Sequence, residues 1–462
     1  MSAVEPCRLA PQQEHIWEYL RFLNPADPGS TYLTIAEAVR IHGALDITAF
    51  RSAFATVFGR HEILRAALSS LGDSPLLVWP DDLHLDVPVD DLRELPGSER
   101  QSVLDKAHAD MDEAPFDLLA GPLVRARVFQ VDAEEHVVMI ACQHMIMDGW
   151  SADLFWRELF WCYRDALAGR PCTLARPMMQ YRDFSDEQWL RFPEGRRPGS
   201  HWADQLDGVP PPLALQTDRP RARLRSWRYA LHEFTFSDDL STALAEASLR
   251  WRVTPFVMVL AAYNTLLFRL TGEFDLTTGS VMSTRDDPRV AHMLGLCTNV
   301  VFLRARASPG WTFADLVRHL WDVTSCAYRN EAPYSSIAAE LWPGFRDARP
   351  WPPQAIFQSW FQFDVPSRVF DTSPLRVARF ESATKAMLNR VYEITDERQR
   401  PLWERENPTF EFEATGSAGV VQYNESLFRS ETIAGMTADL QAILQAGLCR
   451  PGTSLADLPL AR

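Results

Sequence analysis

The chain has 462 residues, 46% of them hydrophobic, and a formal net charge of −15. Its length allows more than one hydrophobic core, and its acidic balance argues against a nucleic-acid-binding protein. The N-terminus lacks the pattern of a secretory signal, no apolar run is long enough for a membrane helix, and the seven cysteines show no CxxC spacing. We therefore expect a cytoplasmic protein with reduced thiols, no metal site, and neither a nucleic acid nor a membrane as partner.

Hydrophobic spacing predicts alternating strands and helices in the first part of the chain. Asp46 is a suitable N-cap for the helix that follows it, and residues 132–135 form a short polar turn between two apolar runs. The predicted strands are 32–41, 76–79, 123–131 and 136–142, and the predicted helices are 9–23, 47–58, 93–111 and 151–168.

Polar residues interrupt the apolar run at the end of the last of these strands. Unperturbed histidine side chains titrate near neutral pH, so His144 is a candidate general base, whereas Asp148 is expected to orient a neighbouring group. Gly149 allows either a positive φ or the close approach of a substrate, and the helix that follows offers a favourable field to a developing negative charge. These polar groups are therefore candidates for chemistry.

The second half repeats this order of elements without obvious sequence identity. Thr254 and Pro255 begin a helix that ends at Gly272, and polar residues 381–408 are typical of an exposed loop or lid. The predicted strands are 229–236, 276–282, 300–303, 355–363 and 410–423, and the other predicted helices are 238–250, 313–327 and 430–446. Apolar strands between helices predict buried sheets covered by helices.

Several short motifs occur in an order that resembles the condensation domains of nonribosomal peptide synthetases. Residues 60–65 read Arg-His-Glu-Ile-Leu-Arg, and residues 143–149 read Gln-His-Met-Ile-Met-Asp-Gly where the family has His-His-x-x-x-Asp-Gly. Weaker counterparts of family motifs lie at 10–17, 181–184, 294–299, 329–334 and 423–428. Each motif alone is weak, but their order covers nearly the whole chain.

The resemblance implies an α/β fold of the α+β sandwich type. Two chloramphenicol-acetyltransferase-like lobes would form a V-shaped pseudo-dimer with the active site at the lobe interface. We assign 1–178 to the N-terminal lobe, which carries the His-x-x-x-Asp-Gly loop, and 179–462 to the C-terminal lobe with its latch and floor-loop segments.

The resemblance also implies roles for individual residues. His144 is the catalytic histidine, and Asp148 and Gly149 complete the candidate catalytic group, with Asp148 paired to Arg285. Gln143 replaces the first histidine of the family signature and can act only structurally, because it carries no charge. Residues expected to shape the site are Gln143, Arg285, Trp150 and Ser151, and candidates for lining a substrate tunnel are Asn299, Gln358 and Trp360.

The function implied is that of a free-standing condensation enzyme in natural-product or antibiotic biosynthesis. A peptidyl or acyl carrier protein would deliver an acyl or aminoacyl thioester on its phosphopantetheine arm, and the enzyme would need no cofactor of its own. The acceptor would be a small molecule or carrier-bound. The bond, ester or amide, stays open, as does the choice between general-base and positioning roles for His144.

Three rival functions are considered. A catalytically inactive condensation-like domain that recruits partner enzymes is favoured by Gln143 and opposed by the intact Asp148 and Gly149. Epimerisation requires a second acid or base that the sequence does not reveal. Cyclisation is disfavoured because its paired-aspartate signature is absent.

Overall fold

The computed structural model describes residues 5–23, 33–81, 83–193, 200–208, 213, 215–220, 226–341, 359–363, 375–380, 391–393, 408–412 and 416–461. The chain divides into two compact units. Unit 1 consists of Met1–Glu194, Ser283–Thr298 and Ser367–Ala386, and unit 2 consists of Gly195–Met282, Asn299–Pro366 and Met387–Arg462. The ranges 1–178 and 179–462 predicted from the sequence differ from this division, because residues 179–194 and two later segments, Ser283–Thr298 and Ser367–Ala386, belong to unit 1.

Unit 1 contains a five-stranded sheet, a small three-stranded sheet and five helices among its described residues. Its helices are α1 (Pro11–Leu23), α2 (Ile47–Arg60), α3 (Gly97–Glu113), α4 (Gly149–Leu167) and α5 (Tyr181–Arg191). Its strands are β1 (Cys7–Arg8), β2 (Thr34–His42), β3 (Ala67–Leu68), β4 (Leu76–Val78), β5 (Val89–Asp91), β6 (Val124–Asp132), β7 (Glu135–Gln143) and β12 (Arg376–Arg379). The larger sheet has the order β12-β2-β7-β6-β5 and the smaller one β1-β4-β3.

Strand β7 lies at the centre of the five-stranded sheet, between β2 and β6, and both pairings are antiparallel. All its residues after Glu135 are buried. Helices α2 and α4 pack through aromatic pairs, in which the rings of Phe50 and Tyr163 lie 5.4 Å apart. The predicted N-cap of α2 is confirmed, because the Asp46 carboxylate accepts a hydrogen bond from the Ala49 N–H. This rigid core positions the end of β7.

Unit 2 is built around a seven-stranded sheet of order β10-β9-β11-β14-β15-β8-β13. Its strands are β8 (Ser226–Thr235), β9 (Asp275–Ser283), β10 (Thr298–Arg306), β11 (Ser359–Phe363), β13 (Val391–Glu393), β14 (Thr409–Phe412) and β15 (Ala418–Asn424). Its helices are α6 (Ser200–Leu206), α7 (Asp238–Trp251), α8 (Pro255–Thr271), α9 (Phe313–Arg329), α10 (Tyr334–Leu341) and α11 (Ser430–Cys449). Strand β11 runs parallel to both of its neighbours, whereas β14, β15 and β8 are antiparallel.

The predicted repetition of element order is visible at the end of each unit's central hairpin. Strand β7 is followed by α4 across residues 144–148, and β15 is followed by α11 across residues 425–429. The side chains of Gln143 and Asn424 accept hydrogen bonds from the N–H two residues on, at 2.7 and 2.9 Å. The mixed α/β fold expected from the sequence is therefore confirmed.

Three element predictions need correction. The predicted strand 410–423 is two strands, β14 and β15, which pair antiparallel with Phe410 opposite Val421. The helix predicted to begin at Ser151 begins at Gly149, since Asp148 caps it. The predicted loop 381–408 includes strand β13, which pairs with β8, and most of that stretch lies outside the described residues.

In the part of the chain that the structure describes, no single helix combines the length and apolar composition needed to cross a membrane. The pair α7 and α8, bent by 110° at its break, meets that criterion only when taken together.

Candidate active site

His144 lies immediately after β7, at the start of a single 3₁₀ turn, His144–Ile146. Its imidazole is half-buried, and Nδ1 lies 2.9 Å from the carbonyl oxygen of Met147. A carbonyl oxygen can only accept, so Nδ1 carries the hydrogen and the lone pair of a neutral ring is on Nε2. No hydrogen bond of Nε2 is present among the described residues. In a neutral ring, Nε2 is therefore the nitrogen of His144 that can accept a proton.

The turn that carries His144 is held from three sides. The His144 N–H donates to the carbonyl of Leu33 at 2.7 Å, which extends the pairing of β7 with β2. The Gln143 side chain, 2% exposed, accepts from the Met145 N–H. From α1, the Gln13 amide donates to the Met145 carbonyl at 2.8 Å. Gln143 therefore supports the turn through its side-chain oxygen, and Gln13 is a further supporting residue that only a weak motif match indicated in advance.

Asp148 is buried, and both of its carboxylate oxygens have partners. Oδ1 accepts from the Ser151 N–H at 2.7 Å, and Oδ2 accepts from the Cys297 N–H at 2.8 Å. Arg285 Nη2 lies 3.2 Å from Oδ1, so the predicted ion pair is present. Because donors occupy both oxygens, Asp148 caps α4 and orients the loop, and neither oxygen is placed to exchange a proton with a substrate.

Arg285 ties the segment Ser283–Thr298 to the start of α4. Its Nη1 donates to the carbonyls of Val290 and Met293, and its Nη2 also donates to Ser151 Oγ at 2.7 Å. Ser151 Oγ in turn donates to the Gly295 carbonyl at 2.8 Å. Trp150 donates through Nε1 to the Ala291 carbonyl at 3.3 Å. All four residues predicted to shape the site, Gln143, Arg285, Trp150 and Ser151, thus contact the His144 loop or its partner segment.

Gly295 and Gly149 differ in the structural reason for a glycine at each position. Gly295 has φ +149°, and a Cβ there would overlap the ring of buried Tyr181. Gly149 is exposed, is not among the glycines with positive φ, and a Cβ there would meet nothing within 4 Å. The positive φ proposed for Gly149 is therefore wrong, and the close approach of a substrate remains as a reason for glycine at this position.

His15 of α1 is an electrostatic neighbour of His144. Burial, together with the positive charge that His144 can carry, lowers the pKa of His15 to about 3. His15 therefore stays neutral at physiological pH. The site therefore has, beside His144, a second imidazole that does not take up a proton at this pH.

A second buried polar cluster supports α4 farther along the helix and was not predicted from the sequence. Glu158 Oε2 lies 2.8 Å from Arg60 Nε and 2.7 Å from His61 Nε2. Burial raises the pKa of Glu158, but the hydrogen bond from His61 and the charges of His61 and Arg60 outweigh it and leave the pKa lowered. A glutamate on the apolar face of a predicted helix was the signal that could have revealed this cluster.

Of the three predicted tunnel residues, only Asn299 has a described side chain, and it belongs to unit 2. In unit 2, the Asn299 side chain is 5% exposed, donates to the Ala332 carbonyl at 2.7 Å and accepts from the Val300 N–H. These bonds give Asn299 a structural role in its own unit. Gln358 and the side chain of Trp360 lie outside the described part of the chain. A tunnel role for the three residues stays a prediction.

The described residues include no group of three or more His, Cys, Asp or Glu side chains placed to hold a metal ion. All seven cysteines are free. What the loop offers chemically is one half-buried imidazole with a defined tautomer, an exposed glycine at a helix N-terminus, and a buried ion pair that fixes both.

Comparison with known proteins gives a family match over almost the entire chain. The family model described as Condensation domain matches residues 7–461. A linear gramicidin synthase polypeptide of Brevibacillus parabrevis is 30% identical over 454 residues, which span 97% of this chain and 6% of that protein. Phosphinothricin tripeptide synthetase PhsC of Streptomyces viridochromogenes is 28% identical over 98% of this chain and 40% of its own length. The chain thus spans less than half the length of each of these relatives.

Solved structures show the same fold at low sequence identity. The X-domain from teicoplanin biosynthesis matches with a TM-score of 0.77 and 20% identity, covering 99% of this chain and 98% of that one. The SgcC5 protein from Streptomyces globisporus, in complex with a naphthyl ethanediol and sucrose, matches with a TM-score of 0.73 and 24% identity, covering 96% and 99% of the two chains.

Proposed function

This chain belongs to the condensation-domain family, and from that membership we propose that it is an acyltransferase acting on thioesters. It joins an acyl or aminoacyl group, delivered on the phosphopantetheine arm of a carrier protein, to an amine or hydroxyl acceptor. The acceptor is a small molecule or is itself carrier-bound. The arm is part of the substrate, and the enzyme uses no cofactor of its own. It acts in the cytoplasm.

The observation that carries this proposal is the tautomer of His144. Because Nδ1–H is donated to the Met147 carbonyl, Nε2 has the lone pair that a general base requires. As the acceptor nitrogen or oxygen attacks the thioester carbon, its proton passes to Nε2. When the carbon–sulfur bond breaks, the same proton leaves with the departing thiol. The defined tautomer favours this role over one of positioning alone.

The other loop residues act through structure and electrostatics. Asp148 and Arg285 hold the backbone on which His144 and Gly149 sit, and neither exchanges a proton. The Gly149 N–H opens α4 and has no acceptor among the described residues, and a Cβ added at Gly149 would meet nothing within 4 Å. A developing oxyanion near this N–H would be stabilised by a hydrogen bond and by the N-terminal field of the helix.

The experiment is incubation of the purified chain with acyl and aminoacyl thioesters of pantetheinylated carrier protein and a panel of amines and alcohols, followed by mass spectrometry. Alcohols belong in the panel because SgcC5, a structural neighbour, was crystallised with an aryl ethanediol. We expect one amide or ester, and a fall of about 10²- to 10⁴-fold in its formation for His144→Ala. The matched control is His84→Ala, since His84 is an exposed histidine of the same unit. A fully active His144→Ala variant would refute the proposed role.

A second candidate function is recruitment of a partner enzyme without catalysis. The X-domain from teicoplanin biosynthesis, in its complex with OxyB, matches this chain with a TM-score of 0.77 and 21% identity. Gln143 in place of the family histidine is compatible with such a role. Failure to form a product from any thioester and acceptor, together with retained affinity for a partner enzyme, would favour recruitment.

A further inference from the structure

Two cysteines of unit 1 lie with their sulfur atoms in direct contact. Cys162 is a buried residue of α4, and Cys172 lies on the segment that follows this helix. Their Sγ atoms are 2.8 Å apart. A disulfide bond is about 2.05 Å long, so the two sulfurs need to approach each other by only about 0.8 Å to form one. The pair is therefore placed for a disulfide, although both thiols are free in this structure.

The segment that carries Cys172 is attached to α4 before and after the cysteine. Arg170 Nη2 donates to Oδ1 of Asp165 at 2.7 Å. The other oxygen of the same carboxylate accepts from both the N–H and the hydroxyl of Thr173, each at 2.7 Å. Because these bonds hold the backbone around Cys172 against the helix, the approach of the two sulfurs requires a small movement of side chains and no rearrangement of the segment.

Further bonds extend this attachment along the helix. Trp161 Nε1 donates to Thr173 Oγ1 at 2.9 Å, and Arg60 Nη1 donates to the Leu174 carbonyl at 3.3 Å. Arg60 is itself paired with Glu158. The α4 residues that hold the segment follow the spacing of one helical face, and they are Glu158, Trp161, Cys162 and Asp165. The sulfur contact thus lies within an ordered set of polar contacts.

The two thiols differ in their access to solvent. Cys162 is 2% exposed, whereas Cys172 is half-buried. Burial raises the pKa of the Cys162 thiol, and the hydrogen bond and the charge of Cys172 raise it further. Since the thiolate is the nucleophilic form of cysteine, an oxidant in solution reacts first at Cys172. Cys162 is then the neighbouring thiol that completes the reaction.

We propose that Cys162 and Cys172 are a redox-modification site, whose reversible disulfide ties the segment after α4 to the helix. With oxidised glutathione, the Cys172 thiolate attacks one sulfur, and the other glutathione leaves as a thiolate. Cys162 loses its proton to solvent, attacks Cys172 Sγ and expels the second glutathione thiolate. The two cysteines lose two protons and two electrons, and one molecule of oxidised glutathione becomes two of reduced glutathione.

The disulfide acts on the connection between α4 and α5. Ser151 at the start of α4 donates to the Gly295 carbonyl, and Tyr181 at the start of α5 donates to the Leu296 carbonyl. The connection therefore joins two helices that hold the segment Ser283–Thr298. In a reducing compartment disulfides are mostly transient and serve catalysis or redox sensing, so we expect a dithiol at rest and a disulfide when oxidised glutathione accumulates.

The test follows the thiols themselves, so its outcome is independent of whether the protein transfers acyl groups. The purified chain is equilibrated in glutathione buffers of increasing oxidised fraction, quenched with acid, unfolded and treated with N-ethylmaleimide. Trypsin separates the two cysteines, because it cleaves after Arg164 and leaves Arg-Pro bonds intact. We expect mass spectrometry to show the loss of two alkylated thiols and a linked pair of peptides, 158–164 and 165–182.

Two further readouts test reversibility and the tie itself. Excess reduced glutathione should reopen the bond. The oxidised chain should melt at a temperature higher by roughly 5 °C, because the bond closes a short loop and restricts the unfolded chain. A bond that reduced glutathione does not reopen, or an unchanged melting temperature, would overturn the proposal.

Single variants test the order of the two steps. Cys162→Ser should stop at a mixed disulfide of glutathione with Cys172, whereas Cys172→Ser should leave Cys162 unmodified and abolish the rise in melting temperature. The matched control combines Cys326→Ser and Cys449→Ser, which removes the two other thiols that are not buried. It should form the disulfide as the unaltered chain does.

The linked peptides of the unaltered chain keep the test decisive even where a variant does not fold. Full alkylation of both Cys162 and Cys172 in oxidised glutathione would refute the site. Accumulation of the mixed disulfide on Cys172 in the unaltered chain would also refute it, because Cys162 would then not complete the reaction.

Discussion

Arg285 Nη2 lies 3.2 Å from Oδ1 of Asp148, although the two residues are 137 positions apart in the chain. Both side chains are almost fully buried, at 4% and 2% exposure. The pair therefore joins the N-terminus of α4 to the segment Ser283–Thr298 within unit 1. It fixes the loop that carries His144, while the imidazole itself stays half-buried.

The first prediction concerns this pair. Asp148→Asn should lower the free energy of unfolding of unit 1 by about 3–5 kcal/mol, because it leaves the Arg285 charge buried without a counter-ion. Arg285→Lys should also lower the free energy of unfolding although it keeps the positive charge. An ammonium cannot reproduce the bonds of the guanidinium to Asp148, Ser151 and the backbone carbonyls around them. Urea unfolding measures both changes.

The control for this prediction is Asp110→Asn. Asp110 pairs with Lys106 on α3, where the two side chains are 57% and 73% exposed. Loss of an exposed pair should change stability by less than about 1 kcal/mol. A loss equally small for Asp148→Asn would mean that the buried pair does not hold the loop.

The second prediction separates the two glycines of the site. Gly149→Ala should leave stability within about 0.5 kcal/mol of the original, because the added Cβ meets open space. It should nevertheless reduce product formation by roughly ten-fold or more if a substrate passes over this backbone. The added methyl group would displace the substrate, and a displacement of about 1 Å from the reactive position greatly lowers the rate. Gly295→Ala should lose about 2–5 kcal/mol of stability, because its Cβ clashes with Tyr181 and its φ is positive. A fully active Gly149→Ala variant would remove Gly149 from the proposed site.

The third prediction concerns pH. His136 of β7 is 1% exposed, and neither ring nitrogen has a partner among the described residues. Burial, and then the charge of Arg93, lowers its pKa from the usual 6.5. Below pH 6.5 the unfolded chain therefore binds a proton at His136 that the folded chain does not bind. As a result, the free energy of unfolding has its full value above pH 6.5 and decreases as the pH falls from 6.5 through the pKa of His136 in the folded protein.

His136→Leu tests this pH dependence. It should be neutral or stabilising at pH 7.5, because it removes two buried nitrogens without partners. Between pH 6.5 and 5.5 its stability should fall less steeply than that of the unaltered protein, by up to about 1.4 kcal/mol per pH unit. Part of the slope should remain, because the pKa values of His15, His201 and His319 are also lowered. Urea unfolding at each pH gives the slope of the unfolding free energy against pH, and identical slopes for His136→Leu and the unaltered protein would contradict the prediction. His84→Ala, at an exposed histidine, is the control variant.

Local patterns predicted much of the fold and part of the site. The apolar run of β7, the helical spacing of α2 and the Asp46 cap are encoded within a few residues, so the sequence reveals them. The Asp148–Arg285 pair followed only from the family resemblance, because nothing local in the chain links two residues so far apart.

Long-range assembly explains what could not be predicted. Strand β12 pairs with β2, with Val377 opposite Ile41, and this pairing places a late segment in unit 1. No periodicity near residue 377 specifies that partner, because strand pairing depends on the folded environment. The hydrogen bonds from the Cys297 N–H to Asp148 and from the Gln13 amide to the Met145 carbonyl could not be predicted for the same reason. Each uses a backbone group, and a backbone group leaves no mark in the sequence.

The last prediction concerns Glu158, whose carboxylate binds Arg60 Nε and His61 Nε2 while only 3% of the residue is exposed. Glu158→Gln keeps the shape of the side chain and removes its charge, so it should lower the free energy of unfolding by about 3–5 kcal/mol.

Arg60→Met should also destabilise, but the two losses should not add, because each variant removes the same interaction. A double-mutant cycle should give a coupling of about 0.5–3 kcal/mol, whereas Glu94→Gln, at an exposed glutamate, should change stability by less than about 0.5 kcal/mol. Strict additivity would show that Arg60 and Glu158 support α4 independently, and the cluster would then not be the unit that its geometry indicates.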